Sequence, residues 1–183
     1  MRFTCWSSVL LVLFFLSASG MAQIEEVKGY ENYQWGTHLD QVLKENPQFK
    51  SKYSLSALRQ ALKKSDYVWI IGPIKYLDYD GEIRYFFDNK ERLFKVTLVV
   101  DSIEEKDFDG AAQILNDLKK KYGEPQKTIA KLYVWFGKYS LIEAEDQAAP
   151  CGFKVEINFA YLKMIKKIDP DKLKRYEIDV EGE

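Results

Sequence analysis

His38 is the only histidine in the chain. A single imidazole does acid–base work where a carboxylate orients it and a nucleophile stands beside it. No G-x-S-x-G turn presents such a nucleophile, and metal centres draw on several His, Cys or clustered carboxylate ligands. At the first turn of an expected helix, His38 reads as a solvated surface residue. Asp78, Asp80 and Glu82 lie close together, and carboxylates are the hard oxygen donors that calcium takes. An EF-hand loop needs more ligands and a distal glutamate, and neither follows here. Asp80-Gly81 is accounted for as a hairpin-turn dipeptide. Lys119-Lys120-Lys121 and Lys163, Lys166 and Lys167 make two local basic clusters, read as the solvated ends of a helix and a strand. With a formal net charge of −1, the chain lacks the global field that holds nucleic acid or an anionic bilayer. The expectation is a protein that is not an enzyme, with no cofactor, no metal and no nucleic-acid partner.

The larger excess is aromatic: Phe, Trp and Tyr make up 15% of the residues. Tyr85 and Phe86 are neighbours in one expected strand and must point to opposite faces of its sheet. Some rings therefore lie on the face away from the helices. One reading is cross-strand pairing that stiffens the sheet. The other is an exposed aromatic surface for a partner, with Trp69, Tyr85, Tyr133 and Trp135 as candidate anchors. Strand register decides which ring takes which face, and one residue of slip reverses it.

The elements that would position these residues are legible from periodicity. Thr37, with Asp40 three residues on, reads as an N-cap. Leu39, Val42 and Leu43 follow at helical spacing, and Asn46-Pro47 ends the helix. Leu55, Leu58, Ala61 and Leu62 make a second helical stripe. Tyr67–Ile71 reads as a strand that Gly72-Pro73 interrupts, and Lys75–Tyr79 as its resumption. Ile83–Phe87 returns, Asp88–Glu91 turns, and Phe94, Val96, Leu98 and Val100 alternate along a third strand. Ser102 with Glu105 reads as a capping box for a helix whose stripe is Phe108, Ala111, Ala112, Leu115, Leu118 and Tyr122. Lys119–Lys121 complement its dipole and Gly123 closes it. Leu132–Phe136, Tyr139–Ala144 and Phe153–Tyr161 then read as strands, with Gly137-Lys138 turning between the first two. A short helix follows from Asp169-Pro170 through Tyr176. The order is helix, three strands, helix, three strands: an α+β fold with an antiparallel sheet of about six strands, helices on one face, in the pattern of a duplicated helix-plus-meander unit.

Residues 1–22 read as a secretory signal peptide. Arg2 is the positive start, Val9–Leu16 the apolar run, and Ser17–Ala22 the small-residue exit. The apolar run is too short to span a bilayer, so no stable membrane insertion is expected and the mature protein is periplasmic or secreted. Residues 23–29 read as a flexible lead-in, 30–176 as a single domain, and 177–183 as an acidic tail. Cys5 leaves with the signal peptide. Cys151 then stands alone, either as a half-buried small hydrophobe or as a site of pairing between chains.

Trp35-Gly36-Thr37 opening a short helix, and Lys121-Tyr122-Gly123-Glu124-Pro125 closing a long one before Trp135, resemble small exported bacterial proteins of unknown function. The helix-then-meander layout is similar to the β-lactamase-inhibitor-protein-like fold and to the small outer-membrane-assembly lipoproteins. That resemblance implies binding through a sheet face and loops. The chain departs from the lipoproteins in having no cysteine just after its apolar run. The expectation is a binding module of the bacterial cell envelope, with an unknown envelope protein as partner. The alternative is a carrier of a small apolar ligand held between sheet and helices.

Overall fold

A computed structural model describes residues 27–104 and 107–179. The expected signal peptide and its cleavage point, Glu105 of the expected capping box, and the end of the acidic tail lie outside these residues. A short ladder comes first, β1 (Gly29–Tyr30) with β2 (Tyr33–Gln34), then helices α1 (Leu39–Glu45), α2 (Pro47–Lys52) and α3 (Leu55–Leu62). Strands β3 (Tyr67–Tyr76), β4 (Tyr79–Asp88) and β5 (Leu93–Ser102) form a meander. Helix α4 (Gly110–Tyr122) leads to β6 (Lys127–Ile129), β7 (Leu132–Phe136), β8 (Ser140–Gln147) and β9 (Phe153–Tyr161), and helices α5 (Leu162–Ile168) and α6 (Pro170–Arg175) follow.

The large sheet is antiparallel with order β3-β4-β5-β9-β8-β7-β6. The two meanders meet through β5 and β9, the last strand of each, so β3-β4-β5 and β7-β8-β9 are arranged as if by a two-fold axis between the central pair. A two-fold normal to the sheet keeps both preceding helical segments on one face, and the core sits there. Ile70, Ile83, Tyr85, Phe87, Val96, Leu98, Ile142, Val155, Ile157 and Phe159 meet Leu39, Val42, Phe49, Ile114 and Leu118 in one buried cluster. Phe94, Val96 and Leu98 of the expected third strand, Leu115 and Leu118 of the expected helical stripe, and Val155, Ile157 and Phe159 of β9 are all buried.

The sheet has seven strands where the sequence led us to expect about six; the short β6 is the addition. Helices do not keep to one face. α5 and α6 fold onto the opposite face, where Leu162, Ile165, Leu173 and Tyr176 cover Val134, Leu141 and Ala160 in a second, smaller cluster. α5 carried no signal in the sequence; it begins at Leu162 directly after the strand expected over Phe153–Tyr161.

Two glycines that read as turn signals sit inside strands because another chain segment approaches there. At Gly72 an added Cβ would stand 2.1 Å from Cε1 of Phe49, so the gap in β3 seats an α2 ring. β3 nevertheless runs unbroken through Pro73, tolerated because β3 is an edge strand. Gly81 lies against the Val99 carbonyl oxygen, 2.6 Å from where its Cβ would be. The hairpin turns at Leu77-Asp78 instead of Asp80-Gly81, with Leu77 at φ 54°. α4 begins at Gly110, not near Ser102. Ser102 ends β5, donates to Asp107 Oδ2 at 2.5 Å and accepts from the Glu104 N–H. Phe108, expected on the α4 stripe, is exposed, and Ile114 takes the buried position.

Candidate binding surface

The face opposite the main core divides in two. Its β7–β8 half is roofed by α5 and α6. Its β3–β5 half has no element over it among the described residues. Register fixes what that open half displays. Trp69 pairs with Phe86 and Tyr67 with Asp88, and Phe86 pairs with Lys95. Alternation then places Tyr67, Trp69 and Ile71 beside Phe86 and Arg84. A bulge between Phe86 and Phe87 turns Phe94 to the same side. Tyr67, Phe86 and Phe94 form a ring triangle with centroids 5.9, 6.2 and 6.4 Å apart. Trp69 is 47% exposed and Tyr67 42%, and Trp69 continues the patch along β3.

A polar seam separates the halves. Glu143, almost fully buried, accepts from Tyr176 Oη at 2.5 Å and pairs with Lys172 Nζ at 2.7 Å, which locks α6 onto β8. Thr97 Oγ1 donates to Asn158 Oδ1 at 2.7 Å, and Asn158 donates to Glu156 at 3.1 Å. Lys95 lies on the open side with its ammonium 5.0 Å from the Phe86 ring centre. Burial, then repulsion from Lys172, draws that ammonium below the usual lysine range. The seam satisfies its own polar atoms and holds the edge of the patch rigid.

The patch runs at Phe94 into a cleft of about 830 Å³ at the end of the sheet. The β4–β5 turn, the Trp35 segment, the β7–β8 turn and α5 form its walls. Its aromatic lining is Trp35, Phe94, Tyr139 and Tyr161. Among the described residues its charged lining is six cations, Lys28, Lys90, Arg92, Lys163, Lys166 and Lys167, and one carboxylate, Asp88. That carboxylate is already engaged: it accepts from the Lys90 and Arg92 backbone N–H groups at 2.9 Å and from the Arg92 guanidinium at 2.6 and 3.0 Å. Burial raises the Asp88 pKa, but these four donors outweigh it and hold the carboxyl below the ordinary range. Trp35 Nε1 donates to Ser140 Oγ at 2.9 Å.

Of the four expected anchors, only Trp69 stands on the open face. Tyr85 is 4% exposed and Trp135 fully buried, both on the helix side; Trp135 Nε1 donates to the Gly123 carbonyl at 2.8 Å. Tyr133 is half-buried on that same side, next to Trp135. Sequence reasoning missed Tyr67, Phe86 and Phe94 as companions of Trp69. Their signal was the Phe86-Phe87 doublet: once Phe87 is core, Phe86 must face away.

His38 is the residue before α1 and its side chain is exposed. Nδ1 lies 2.8 Å from Asp40 and Nε2 3.6 Å from Glu91, which a forked Arg59 pair also holds. Asp80 faces Lys75 across the strand pair at 3.6 Å, and Glu82 faces Arg84 two residues along β4 at 2.6 Å. Among the described residues no three His, Cys, Asp or Glu side chains converge so as to hold a metal ion. There is also no helix among them long and apolar enough to cross a membrane. Comparison with known proteins gave no matching family model, no matching curated protein and no matching solved structure.

Proposed function

We propose that the protein is a non-catalytic binding module of the bacterial cell envelope, exported by its N-terminal signal peptide. Its contact surface is the open β3–β5 half of the sheet, and its partner is a protein presenting an apolar surface. The observation that carries this reading is the exposure of Trp69 and Tyr67 over the Phe86–Phe94 floor. Large rigid rings bury much area at little rotamer cost, and contiguous exposed rings mark contact sites. The equivalent half under α5 and α6 shows that this face can be covered by apolar side chains of the chain itself. The resemblance to small envelope proteins that bind through a sheet face supports the same reading.

A carrier of a small apolar ligand between sheet and helices has less in its favour. That space is occupied by the main core, and the cleft lies elsewhere and is lined with lysines. Affinity capture from envelope extract tests the proposal. A partner should be retained by the wild type and by Gln113→Ala on α4, and lost with Tyr67→Ala/Trp69→Ala. Retention by the double variant would overturn the reading.

A further inference from the structure

The cleft beside the aromatic patch has a chemistry of its own. Among the described residues six cationic side chains line about 830 Å³; Arg92 is paired with the one carboxylate among them, Lys163 and Lys166 have interactions of their own, and Lys28, Lys90 and Lys167 supply the rest of the positive charge. The whole chain carries a formal net charge of −1, so this positive potential is local. A concave site with low-dielectric walls focuses it. Between the lysines lie the rings of Trp35, Phe94, Tyr139 and Tyr161 and the Met164 side chain. Trp35 has its indole N–H satisfied by Ser140, which leaves the ring as an apolar surface. An inorganic anion would use the lysines and leave the rings wet. A neutral apolar molecule would use the rings and offer no counter-charge to Lys90 and Lys167.

We infer that this cleft binds a small amphiphilic anion, a molecule with one carboxylate or phosphate head and an apolar body. The body lies on Trp35, Phe94 and Tyr139. The head sits between Lys90 of the β4–β5 turn and Lys167 of α5, both of which line the cleft. The volume fits a drug-sized or medium-chain molecule. The inference does not rest on the protein-binding reading of the open sheet face. The two fail separately, because the substitutions below leave Tyr67, Trp69 and Phe86 in place.

Titration of the protein with monomeric dodecanoate, followed by calorimetry, tests the site. Dodecyl phosphate serves as the second anionic head, dodecan-1-ol as the neutral analogue and phosphatidylglycerol vesicles as the membrane control. Dodecanoate should bind with one-to-one stoichiometry, at least about tenfold more tightly than dodecan-1-ol, and more weakly as salt is raised. K90E/K167E should weaken it at least about tenfold. K64E/K120E makes the same charge change outside the cleft and should leave the affinity within about twofold. Amide chemical shifts of Gly36, Lys90 and Lys163 should move on titration, a readout that needs no variant. Three outcomes would overturn the inference: no one-to-one binding of either anion, equal loss in both double variants, or binding confined to the vesicles.

Discussion

At the scale of single residues, two tryptophans of similar sequence context have opposite fates. Trp135 is fully buried and Trp69 is 47% exposed. Both lie in aromatic, β-branched strands, and nothing local separates them. Trp135 pairs with Ile142 on the helix side and is fixed by the Gly123 carbonyl that ends α4; its burial is a property of long-range pairing. Trp135→Ala should cost about 3–5 kcal/mol, whereas Trp69→Ala should stay within about 1 kcal/mol, read from urea midpoints. Asp88 offers a pH test. Its lowered pKa means that the folded state gains stability above the unfolded carboxyl value, near 3.9, and loses it as pH falls through the folded value. Asp88→Asn should cost about 1–2 kcal/mol at neutral pH, the low side because the Arg92 side chain is 47% exposed. The difference from wild type should shrink as pH drops below about 4. A difference that is constant with pH would contradict the role given to the carboxylate.

At the scale of elements, the sequence was most legible where an amphipathic pattern ran long. The β5 alternation put Val96, Leu98 and Val100 on the buried face, though the bulge turns Phe94, expected with them, to the other side, and Asp169-Pro170 marked α6, where Asp169 accepts from the Lys172 N–H. It was least legible at boundaries set by tertiary contact. Gly72 and Gly81 looked like turn residues, and their reasons were the Phe49 ring and the Val99 carbonyl, both far along the chain. Ser102 looked like a helix cap because its spacing fits one, yet it closes a turn before Asp107. The start of α4 is open to test. Leu118→Ala should cost about 2–5 kcal/mol, since Leu118 is fully buried. Phe108→Ala should shift stability by no more than about 0.5 kcal/mol, since Phe108 lies before the helix and is exposed. Equal losses would place Phe108 back on the packed stripe.

At the scale of the whole molecule, the proposed function rests on an asymmetry in a pseudo-symmetric sheet. Both meanders bury one face under helices, but among the described residues only the second is covered on its other face, because α5 and α6 follow β9 and fold back over β7 and β8. The first meander keeps its far face open with Trp69, Tyr67 and Phe86 on it. The candidate site was legible only in part: the aromatic excess and the two-faced strand argument were there, while the assignment of rings to faces waited on register. The basic cleft was not legible, because Lys90 and Lys167 line one cleft only once β9 lies beside β5. Site-specific photocrosslinking in the envelope tests the central claim most directly. A photoreactive phenylalanine analogue at positions 67, 69 and 71 should trap one and the same protein, and the analogue at positions 113 and 120 on α4 should not. Crosslinks as strong from α4 as from β3, or none from β3, would contradict the account.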